Sequence, residues 1–208
     1  MFMVNIFLDP AAVGLYAVAV GLIEKIWLVS YSASTVLFPR IAAEREEERQ
    51  KDFTPLVART VLWTTAIGAL VLALLSRWII LFLFSEAFLP AVGALRALII
   101  GVIALSAGRV LANDLAGRGF PRLNIYTGLA AVVTNVALNS IWIPRYGIVG
   151  AAWASTASYL VTFLLALFFY CRVSGNRWIK VVLPQTGDFS LYWKAELKIG
   201  RRMFSKKK

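Results

Sequence analysis

The sequence predicts an all-helical membrane protein, a polytopic bundle of about five transmembrane helices followed by a basic tail, and three observations lead there. Hydrophobic residues make up 60% of the 208 and charged residues only 16%, and the mean hydropathy is +0.73, so the bilayer is the expected solvent. Apolar stretches of about twenty residues recur between prolines and polar breaks, which is the length that crosses hydrocarbon. The run Ile143-Pro144-Arg145-Tyr146-Gly147-Ile148-Val149-Gly150-Ala151-Ala152 then reads as a tight hairpin between two such stretches. Proline stops one helix, glycine reverses the chain, and small residues let the next helix pack closely.

Taken in order, 1–10 is a short apolar segment ending at Asp9-Pro10. It has neither the basic start nor the small-residue cleavage site of a signal peptide, and is expected to be the remnant of a preceding membrane helix or a short external segment. Spans are expected at about 12–38, 56–84, 90–112, 122–143 and 148–171, with Pro39, Thr54-Pro55, Pro90, Pro121 and Pro144 at their edges. The bundle therefore occupies 11–171 and the tail 172–208. Lys and Arg number four in 39–55, two in 113–122 and ten in the tail, against two in 77–96 and one in 144–147. Sixteen against three puts the first group of loops and the C-terminus in the cytoplasm.

The net charge of +11 sits mostly in that tail, where Phe189, Tyr192, Trp193, Leu197 and Phe204 interleave the cations. Anionic membrane lipid is a simpler partner for it than nucleic acid, and a disordered tail that only fixes topology is the plain alternative. The Glu-Arg-Glu-Glu-Glu-Arg run at 44–49 reads as a solvated helix or loop.

Charged groups at membrane depth are costly and so point to function. Glu24 and Lys25 lie mid-span on an arc with Trp27, Tyr31, Ser32, Ser34 and Thr35, while Leu15, Ala19, Leu22, Ile26, Val29 and Ala33 fill the other side. The arc is expected to meet protein or water and the apolar side lipid. The charged pair either lines a cavity or glues helices together. In the fourth span Asn124, Gly128, Ala131, Asn135, Asn139 and Trp142 share a side, for sugar hydroxyls or for interhelical hydrogen bonds. Ser106, Arg109, Asn113 and Gly117 form a further stripe. Arg59 and Arg109 either snorkel to headgroups or supply the positive field a diphosphate needs. Gly147, Ala151, Ser155 and Ser158 read as a packing seam. One cysteine, Cys171, and no histidine leave no familiar metal set. With no nucleophile elbow, phosphate-binding glycine loop or acid/base pair, neither a catalytic centre nor a cofactor is expected.

Four runs together resemble the C-terminal half of polysaccharide-biosynthesis flippases of the multidrug/oligosaccharidyl-lipid/polysaccharide exporter superfamily. They are VGLYAVAVGLIEKIWLVSYSASTVLFPRIA at 13–42, LRAL opening the third span, AGRGFPRL at 116–123 and NVALNSIWIPRYGIVGAAWASTASYL at 135–160. The resemblance covers about 13–171. It implies one bundle of a two-bundle transporter in a bacterial or archaeal cytoplasmic membrane, turning over undecaprenyl-diphosphate-linked oligosaccharide such as an O-antigen unit. The pathway candidates are then Glu24, Lys25, Tyr31, Arg59, Arg109, Asn113, Asn135 and Asn139. An N-terminal bundle absent from this chain is the expected partner. The competing expectations are a multidrug or organic-cation antiporter of the same superfamily, and a non-transporting remnant or assembly subunit.

Overall fold

The computed structural model describes residues 1–43 and 47–185, with side chains described over 1–26 and 53–185. The order is α1 (Phe2–Phe7), α2 (Pro10–Ala43), α3 (Glu47–Leu83), a 3₁₀ turn (Glu86–Phe88), α4 (Ala91–Gly117), α5 (Pro121–Ser174) and α6 (Trp178–Val182). Tyr31, the charged run at 44–49 and the tail beyond 185 lie outside the residues whose side chains are described. Among the described residues there is no strand.

Three of these helices, Phe53–Leu83, Ala91–Gly117 and Pro121–Ser174, are long and apolar enough to cross a membrane. The last consists of two helical arms. Gly147 interrupts it with φ 58 and ψ −140, a left-handed backbone that glycine adopts without a Cβ clash. The arms 121–146 and 148–174 therefore fold back on each other as the sequence predicts. Where they meet, a Cβ at Gly150 would strike the carbonyl of Trp142, so this glycine is what allows the close approach. With α2, 34 residues long, the five expected crossings map onto α2, α3, α4 and the two arms of α5.

Two expected boundaries are displaced. Pro39 falls inside α2 and Pro55 inside α3. Each helix continues past its apolar stretch, and a proline near a helix end forfeits a single hydrogen bond that the flanking turns outweigh.

Helix α4 is the central post, packed against α2, α3 and α5. Its sequence of Ala and Gly every third or fourth residue makes this possible, because small side chains are what let membrane helices approach. Ala94, Ala97, Gly101, Ala104, Ala107 and Gly108 are all buried. A Cβ on Gly101 would lie 2.7 Å from the Cα of Thr156, whose hydroxyl donates to the carbonyl of Ala97 at 2.7 Å. Exposed apolar surface falls instead on α3 and the first arm of α5, with Ile67, Leu74, Trp78, Phe82, Ile125 and Leu129.

The facing of α2 differs from expectation. Its apolar side is in the core: Ala19 and Ile23 are buried, with Leu15, Leu22 and Ile26 packed on the same cluster. The apolar residues pack against α4, and Glu24 and Lys25 are left exposed.

Candidate functional site

Polar side chains inside this bundle form two groups, one in its middle and one at the end where α5 terminates. In the middle, Tyr16 of α2 reaches the second arm of α5, its hydroxyl 3.1 Å from that of Ser155. One turn on, Ser158 donates to the carbonyl of Ser155 at 2.8 Å and accepts from Asn135 Nδ2 at 3.3 Å. Asn139 Nδ2 in turn donates to Asn135 Oδ1 at 2.8 Å. The result is a polar thread crossing α2 and both arms of α5. It ends at Asn139 Oδ1, a buried acceptor with no partner among the described residues.

A charged cluster adjoins this thread. Arg109, partly buried on α4, lies within electrostatic reach of Glu24 on α2 and Tyr159 on α5, and Tyr159 also senses Tyr16. Two of the sequence candidates, Glu24 and Arg109, thus lie within Coulombic range of each other although their helices are far apart in the chain. Lys25 is exposed beside Glu24, and Asn113 is partly buried one turn beyond Arg109. Asn135 bonds across to Ser158 on the other arm of α5, whereas the bond of Asn139 runs within its own arm, to Asn135 four residues earlier.

Arg59 stands apart from this cluster. It is 6% exposed and its Nη1 donates to the carbonyl of Lys180 at 2.9 Å, across 121 residues of chain. The same end of the bundle holds a group that sequence reasoning missed. Asp114, wholly buried, accepts from Thr54 Oγ1 at 2.6 Å and from Arg118 Nε at 2.6 Å, tying α3, α4 and the α4–α5 turn together. The signal was present as an acid and an arginine four residues apart, the spacing that pairs them on a helix. Tyr16 and Tyr159 were missed because a tyrosine in an apolar run reads as core, and Ser155 because it was assigned to packing.

With this geometry in hand, comparison with known proteins is informative. Residues 3–187 match the family described as Lipid II flippase MurJ. Two Methanocaldococcus jannaschii proteins, uncharacterized membrane proteins MJ1068 and MJ1375, are 26% and 25% identical over 84% and 77% of this chain. A solved structure of lipid II flippase MurJ in an inward closed conformation shares the fold, with a TM-score of 0.72 at 20% identity over 80% of this chain. The chain spans 36% and 38% of those relatives' lengths and 37% of that structure's.

Proposed function

This chain belongs to the lipid II flippase MurJ family, and from that premise we propose that it forms one helical bundle of a transporter that turns a lipid-linked oligosaccharide across the cytoplasmic membrane. The family is one of transporters, so no bond chemistry is asked of the bundle. The observation that carries the reading is that Glu24, Arg109 and Tyr159, on three different helices of the bundle, lie within Coulombic range of one another. Charges there are expensive, and a fold that assembles them without burying them fully is lining a path. Arg109 and Lys25 supply a field for the diphosphate of the carrier, since a guanidinium keeps its charge and grips phosphate oxygens in a fork. A single acid, Glu24, against two cations favours anionic over cationic cargo. The Tyr16–Ser155 pair and the asparagine thread supply hydroxyls and amides suited to sugars.

Three finer points belong to the same proposal. The cargo is an undecaprenyl-diphosphate-linked glycan of surface polysaccharide synthesis. The bundle is the C-terminal one and works with a further bundle; that it spans little more than a third of its relatives' lengths supports the need for further membrane segments. The end bearing Arg118 and the basic tail faces the cytoplasm, where the tail lies on anionic lipid.

The test is export in the longer protein. Lys25→Ala and Arg109→Ala are each expected to lower surface glycan severalfold at unchanged protein level. Normal export by both variants refutes the pathway role.

A further inference from the structure

The end of α5 holds a built surface that the transport reading does not use. Gly175, in the left-handed region at φ 72, caps α5 and turns the chain off the span axis, its N–H bonding back to the carbonyl of Cys171 at 3.0 Å. Asn176 braces the turn by donating to the hydroxyl of Tyr170 at 2.9 Å. Helix α6 follows, and α3 clasps it with two side chains one turn apart. Arg59 Nη1 donates to the carbonyl of Lys180 at 2.9 Å and Trp63 Nε1 to that of Val182 at 3.1 Å. The last carbonyls of a helix have no partner within it, so these donors satisfy groups that would otherwise need water. Val181 completes the attachment, wholly buried against Ala58, Val61 and Tyr170.

Because its inner side is fixed this way, α6 turns a defined outer side away from the bundle. That side carries exposed apolar groups, Trp178, Ile179 and Leu183, and the exposed cation Lys180, with exposed Arg177 just before it and exposed Arg172 in the last turn of α5, its guanidinium 5.3 Å from the Phe168 ring centroid. No acidic residue occurs anywhere in 171–185. Tryptophan and cations at the end of a membrane span are the composition of the headgroup boundary. A short segment of this kind lies in the interface when its apolar groups reach the acyl boundary and its cations meet anionic headgroups.

We infer that α6 with Arg172 and Arg177 is a docking surface for anionic phospholipid headgroups of the leaflet at that end of the bundle, and that Arg59 and Trp63 are its positioning residues. Arg59 itself touches no headgroup. It holds the segment that does. The inference sharpens the reading of the basic tail as lipid-facing but uses no residue beyond 183. Its test reads local exchange rather than export, so it and the proposed function can fail separately.

The experiment is hydrogen exchange of the amides in 178–183, with the full chain in nanodiscs of phosphatidylcholine alone or with added phosphatidylglycerol. Each cation near an anionic surface favours the bound segment by ~5-fold, so exchange is expected to slow at least that much in the anionic discs, and less so in high salt. The triple variant Arg172→Gln/Arg177→Gln/Lys180→Gln is expected to lose the difference between lipids while matching wild type in phosphatidylcholine. Trp63→Phe, which keeps an aromatic ring at a partly exposed position and removes the indole donor, is expected to speed exchange of α6 in both lipids and shrink the difference. Equal exchange of wild type in the two lipids overturns the proposal, as does a triple variant that keeps the difference. A Trp63→Phe chain whose α6 exchanges as wild type overturns the clasp.

Discussion

Asp114→Asn is expected to be among the most damaging conservative substitutions in this chain. The wild-type carboxylate is wholly buried and holds two short bonds, Thr54 Oγ1 and Arg118 Nε, both at 2.6 Å. Asparagine keeps the shape and one acceptor for Thr54, so the main loss is the charge facing Arg118. That guanidinium side chain is only 10% exposed, so water screens it little once its partner is gone. Removing one member of a buried pair costs about 3–5 kcal/mol, and the retained Thr54 bond puts the expectation near the lower figure. The assay is reversible unfolding in mixed micelles titrated with sodium dodecyl sulfate. Run as a cycle with Arg118→Gln, it should show strong coupling, the double variant being more stable than the sum of the single losses predicts. An Asp114→Asn loss below about 1 kcal/mol, or two losses additive within about 0.5 kcal/mol, would refute the pair as a structural tie.

Other expectations concern packing, the polar thread and orientation. Gly101→Val should destabilise by about 2–3 kcal/mol in the same assay, because even a Cβ lies 2.7 Å from the Thr156 Cα and the α4–α5 contact has to open; a neutral result contradicts the described seam. Asn135→Ala should cost only about 0.6 kcal/mol, the usual worth of a hydrogen bond between membrane helices, yet should reduce export by more than that loss of stability explains. With Cys171 replaced, single cysteines at Glu86 and Arg145 should react with an impermeant maleimide from outside intact cells and one at Arg118 should not. Labelling of the Arg118 site from outside reverses the assigned orientation.

What the sequence revealed depended on how local the cause was. The hairpin at Pro144 and Gly147 was legible because a proline, a left-handed glycine and small residues after it act within a few residues of each other. The long apolar helices were legible for a similar reason, since hydropathy is a property of each stretch alone. The facing of α2 was not. Its wheel separates apolar from polar, but whether the apolar side meets lipid or protein depends on α4, whose alanines and glycines offer a groove that only the assembled bundle creates. Arg59 shows the same limit, because its partner carbonyl is 121 residues away and carries no side-chain signature. Asp114 was legible and passed over: its spacing from Arg118 is the ordinary helical pairing, but its burial and its bond to Thr54 depend on α3, 60 residues away in the chain.

Under the proposed function, this bundle is a working part of a lipid-linked oligosaccharide flippase and needs a further bundle to work. Complementation of a strain depleted of its own oligosaccharide flippase tests this most directly, comparing residues 1–208 alone with the same residues joined to the membrane segments that bring the chain to its relatives' length. The account predicts restored surface polysaccharide from the longer protein and none from 1–208. Restoration by 1–208 alone, or accumulation of untransported precursor in cells making the longer protein at normal level, would contradict it.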